Sequence, residues 1–208
     1  HDALPISLKL VDFDQKEKQE KPILCLIGLI RSCGAIDPMV IQIRAQKYGL
    51  DLKSLEINPL FNFWTYYTFD YLMPDDTDGE AIVYYDSIPY MDAIANMRLD
   101  YELVAPVFLK PESYLSIFYN GYDDTDPDVH ALFDHFKKSK DVFDSFKMER
   151  ILECIETCRM TEQLIVFFPK LEEFDPKTTE LFKKAIYKMP MPYLTGMTLQ
   201  DYRSKIKR

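Results

Sequence analysis

Four times along the chain a polar residue is followed by proline at the head of a stretch with helical periodicity: Asp37-Pro38, Lys110-Pro111, Asp126-Pro127 and Asp175-Pro176. An Asp in this place accepts hydrogen bonds from the free N–H groups of a first helical turn. Proline at the first helical position gives up only an N–H that has no partner there. These marks predict separate helices and commit most of the chain to α structure.

The other elements follow from pattern. Pro22 to Cys33 is apolar and Leu/Ile-rich and reads as a buried helix. The helix opened by Asp37-Pro38 stops at Gly49, and a third short one covers Leu52 to Leu60. The texture then turns aromatic and β-branched in Phe63 to Phe69 and again in Ala81 to Tyr85, with Asp78-Gly79 as the turn between two strands. Three helices followed by a hairpin is the layout of a winged helix. After Ile88 helical signals run to the end: Pro89 to Arg98, Pro111 to Asn120, the segment after Asp126-Pro127, residues 146–158, Thr161 to Phe168, Pro176 to Lys188, and a last short helix capped by Thr198.

The expected fold class is therefore mostly α with a small β-hairpin (α+β), a winged-helix-like part followed by an irregular helical bundle. Residues 1–21 read as a fraying start and linker, 22–88 as the winged-helix-like subdomain and 89–208 as the helical subdomain. The opening His1 to Ile6 resembles a translated sequencing-adapter remnant and is left out of this reckoning. The core is expected to draw on Leu24, Leu26, Ile27, Ile30, Ile41, Trp64, Ile82, Phe108, Leu115, Phe118, Leu132, Phe136, Ile151, Ile155, Leu164, Phe167, Leu181 and Ile186.

Composition bears on partners. Hydrophobic residues make up 47% and charged residues 28% of the chain, the balance of a soluble globular protein. The most apolar stretch, Pro22 to Ile30, is too short to span a bilayer, and a cytoplasmic location is expected. Net charge is −9, which argues against a surface that coats nucleic acid. It is unevenly placed: residues 51–130 hold 3 basic and 16 acidic residues, while residues 131–208 hold 15 basic and 12 acidic.

The known chemical signatures are missing. No glycine pattern fits a phosphate-binding loop or a dinucleotide fold, and no nucleophile elbow or HExxH helix occurs. His130 and His135, five apart on a helix, point about 140° away from each other and form no two-histidine metal face. His130 and Asp134, four apart, read as a helix-surface ion pair. Asp123 to Asp128 has the look of a calcium loop, but a frame from Asp124 puts Val129 and His135 where Gly and Glu are needed. Weak divalent-ion binding stays open there and at Asp75 to Glu80. Cys154 and Cys158 share a helix face and could be half of a metal site, but Cys25, Cys33, Cys154 and Cys158 read better as buried free thiols. No cofactor is expected, and neither catalytic nor metal-ligating residues are assigned.

The series KPESYLSIFYNGYDD (Lys110 to Asp124), DPDVHALFDHFKK (Asp126 to Lys138) and PMPYLTGMTLQDY (Pro190 to Tyr202) resembles a group of bacterial proteins, chiefly from Firmicutes. Several members carry a C-terminal SEC-C motif, a short cysteine-rich zinc tail. No Cys follows Tyr202 here, so either this member lacks the tail or the sequence stops short of it. The resemblance implies the helical layout above and no established activity.

Function is then expected to be non-enzymatic: a protein-interaction or regulatory module with an acidic, Tyr-rich face made by Asp75, Asp76, Asp78, Glu80, Tyr66 and Tyr84, binding a protein partner of basic charge. The first alternative is a DNA-binding regulator using Arg44, Lys47, Arg203, Lys205, Lys207 and Arg208; the second is an enzyme with a carboxylate site. DNA is disfavoured because phosphate binding needs cations. Asp51 to Leu60 has one Lys and no Arg, and the loop between the strands is acidic.

Overall fold

The structure, a computed structural model, describes residues 13–36, 38–50, 69–72, 82–85, 107–156, 175–194 and 196–206. Asp37, the helix expected at Leu52 to Leu60, Trp64, the helix at Pro89 to Arg98 and the helix at Thr161 to Phe168 lie outside these residues, as do the side chains of Ile82 and Ile155.

Seven α-helices dominate the described residues, with two small antiparallel sheets. Helix α1 (Phe13–Cys33) is followed at once by β1 (Ala35–Ile36) and α2 (Pro38–Lys47). Strands β2 (Phe69–Leu72) and β3 (Ile82–Tyr85) come next. Helices α3 (Pro111–Asn120), α4 (Pro127–Lys138), α5 (Val142–Glu156) and α6 (Pro176–Ile186) form the larger part. A closing unit holds β4 (Pro190–Met191), a 3₁₀ turn, β5 (Met197–Thr198) and α7 (Leu199–Ile206).

The proline-marked starts fall where local chemistry puts them. Helices α3, α4 and α6 begin at Pro111, Pro127 and Pro176. The Asp126 carboxylate accepts from the N–H of Asp128 and Val129, and Asp175 accepts from Lys177 and Thr178 in the same way. Thr198 and Asp201 cap α7 reciprocally: the Thr198 hydroxyl donates to the carboxylate, and the Asp201 N–H donates to the hydroxyl. Gly49, just beyond α2, takes a φ of 76°, which suits glycine at a helix stop.

Three expectations need correction. The segment read as a linker through Lys21 is helical from Phe13 onward. Its Lys, Glu and Gln residues are strong helix formers, and Lys16–Glu20 and Glu17–Lys21 are spaced for favourable pairs. Second, the hairpin is part of a three-stranded sheet of order β1-β3-β2: Tyr84 of the central strand faces Ala35 on one side and Asp70 on the other. Of the aromatic run only Phe69 is among the described residues, and it lies in β2. Third, α5 starts before residue 146, at Val142, and α6 ends at Ile186 rather than Lys188.

Two hydrophobic clusters hold the described residues together. The first joins α1, α2 and α3. Every residue from Ile23 to Ile30 is buried, so this length of α1 is covered on all sides. Ile36, Ile41, Ala45, Leu50, Tyr114 and Ile117 complete it. Helix α1 packs most extensively on α3. Gly28 meets the Tyr114 main chain, the Cys25 thiol donates to the Pro111 carbonyl at 3.2 Å, and Arg31 donates to the carbonyls of Ile117 and Phe118, both at 3.2 Å. That guanidinium sits at the negative end of α3, where a cation is favoured. Tyr114 is buried, and its hydroxyl accepts from the Leu109 N–H at 3.0 Å. Burial pushes its phenol far above the ordinary tyrosine value.

The second cluster gathers Tyr122, Val129, Leu132, Phe133, Phe136 and Ile151 with Phe182, Ala185 and Ile186 of α6 and Met189, Met191, Leu194, Met197 and Leu199 of the closing unit. Tyr122 stacks on Phe133 with ring centroids 3.7 Å apart. The closing unit also reaches the end of α1: a β-carbon on Gly196 would lie 2.9 Å from the Cys33 sulfur and 3.1 Å from the Ser32 hydroxyl. Of the expected core, Leu24, Leu26, Ile27, Ile30, Ile41, Leu132, Phe136, Ile151 and Ile186 are buried, while Phe108, Leu115, Phe118 and Leu181 pack against the clusters partly covered.

Candidate functional site

The acidic candidates fall in sequence between the two strands of the hairpin. Phe69 pairs with Tyr85 and Leu72 with Ile82, and residues 73–81 join the two strands in sequence. That connection contains Asp75, Asp76, Asp78 and Glu80 and no cation. Those four residues and Tyr66 lie outside the described residues; Tyr84 lies on the central strand.

The basic candidates are separate from one another in their surroundings. The Arg44 guanidinium on α2 lies 3.2 Å from the centroid of the Phe108 ring, a stacked cation–π contact. Lys47, on the same helix, is exposed. Arg203 of α7 stands 4.9 Å from the Tyr187 ring, and Lys205 is half-buried. Lys207 and Arg208 lie outside the described residues. Two of the cations proposed for phosphate are thus held against aromatic rings.

The acidic loop before α4 is occupied by its own hydrogen bonds. Asp123 is buried, and its carboxylate accepts from the Thr125 N–H at 3.0 Å and the Thr125 hydroxyl at 2.6 Å. Ser116 ties the loop to α3, accepting from the Asp124 N–H at 2.8 Å. Asp126 caps α4. His130 pairs with Asp124 at 3.1 Å, not with Asp134, which binds Lys138 at 2.8 Å. The loop curls back over the first turn of α4 and so offers His130 a nearer carboxylate than its own helix does. Among the described residues no three His, Cys, Asp or Glu side chains come together as a ligand set. Cys25 and Cys33 are buried and form no disulfide, and burial pushes the Cys25 thiol up.

One constellation was not visible in the sequence. His135 of α4, Thr178 of α6 and the cap residue Asp175 form a hydrogen-bonded line, with His135 Nε2 3.0 Å from the Thr178 hydroxyl oxygen and that hydroxyl donating to Asp175. Imidazole, hydroxyl and carboxylate in contact suggest nucleophilic catalysis, but the proton inventory denies it. Thr178 has a single proton and gives it to Asp175, so Nε2 must donate to Thr178 and cannot act as its base. The Thr178 side chain is also fully buried. The line is a reinforced helix start, in which the Thr178 hydroxyl holds the Asp175 carboxyl below the usual carboxylate range.

Large apolar side chains do reach the surface. On α5, Phe143 is 70% and Phe146 61% exposed, and on α3 Tyr119 is 66% exposed. No helix among the described residues is long and apolar enough to cross a membrane. No protein-family model matches the chain, and no curated protein or solved structure is detectably similar to it.

Proposed function

We propose that the chain is a non-enzymatic protein-interaction module of a bacterial cytoplasmic protein, similar in kind to the SEC-C-associated group. Its winged-helix-like half, residues 22–88, binds a basic protein through Asp75, Asp76, Asp78 and Glu80, with Tyr66 and Tyr84 nearby in sequence or on the sheet. The observation that carries the reading is the hairpin pairing, with four acids and no cation in the sequence between β2 and β3. A strand between the first two helices, pairing with the last strand of the sheet, supports the winged-helix assignment. Opposite charge across an interface steers encounter and sets partner choice.

The competing reading is a DNA-binding regulator, favoured by the exposed Lys47 on α2. A titration into a random-sequence duplex separates the two. No binding at low salt is expected. Salt-sensitive binding that fades at about 200 mM would overturn the protein-interaction reading in favour of the regulator. In parallel, partners cross-linked to the wild-type chain should be lost from the D75K/D76K/D78K variant and kept by K205E. Equal capture by the two variants would remove the acidic segment from the proposal.

A further inference from the structure

We draw no further inference here: the strongest candidate, the exposed Phe143–Phe146 pair on the first turns of α5, is an apolar face for which nothing in the structure shows what covers it.

Discussion

Gly28 and Tyr114 touch main chain to main chain: a β-carbon on Gly28 would fall 1.9 Å from the Tyr114 carbonyl oxygen. No side chain can move aside there, because the obstacle is backbone. Gly28→Ala should therefore force α1 and α3 apart and cost about 3 kcal/mol or more, beyond an ordinary overpacking change. Urea unfolding of the two proteins measures it. A loss below about 1 kcal/mol would mean that the helices do not meet at this point.

Asp175 gives a pH dependence with a definite sign. Its folded carboxyl is held low, first by the Thr178 hydroxyl and then by backbone N–H donors. A depressed value means that the charged form stabilises the fold. That contribution is complete above the unfolded carboxylate range near pH 3.9 and is lost as pH falls through the folded value. Asp175→Asn keeps a capping acceptor but cannot titrate, so its thermal stability should fall less steeply than wild type below about pH 4. Parallel acid limbs would contradict this. Asp175→Ala should cost about 1 kcal/mol at neutral pH.

The Tyr122 hydroxyl is buried with no hydrogen bond of ordinary geometry, although it lies close enough to the Lys137 ammonium to help hold that cation's pKa up. Removing an unsatisfied buried polar atom relieves a desolvation cost, while the ring keeps its stack on Phe133. Tyr122→Phe should leave the melting temperature unchanged or raise it. A loss of more than about 1 kcal/mol would show that the hydroxyl is in fact bonded.

Cys25 and Cys33 should resist alkylation in the folded chain. Both are buried, and burial disfavours the reactive thiolate of Cys25. Mass-mapped labelling with iodoacetamide at about pH 8, near the ordinary thiol value, should leave both unmodified until denaturant is added. Rapid native labelling of Cys25 would show that α1 and α3 separate readily.

What could be foreseen was what neighbouring residues decide among themselves. The starts at Pro111, Pro127 and Pro176 were visible because cap and proline act within one turn. The acidic character of the segment from Asp75 to Glu80 was visible because its residues are contiguous. What depends on distant residues was hidden. Strand β1 is two residues long and exists only because β3 lies beside it. The His135–Thr178 contact joins residues 43 apart, which no periodicity announces. Phe133, Tyr114 and Phe182 are among the largest fully buried side chains, yet each stands beside polar residues in sequence, as the exposed Phe143 does.

The seat of Gly196 on Cys33 and Ser32 has a consequence for how the protein is made. Helix α1 is synthesised before the elements that cover it, and the backbone that caps its far end emerges more than 160 residues later. Its broad apolar surface from Ile23 to Ile30 waits for α3 as well, whose contacts with α1 span 86 positions. During translation that surface lacks most of its native cover until α3 emerges, and long-range contacts of this kind close slowly. A nascent chain halted after α2 would present a sticky helix to whatever lies near the ribosome exit, and release from it should coincide with the arrival of the closing unit.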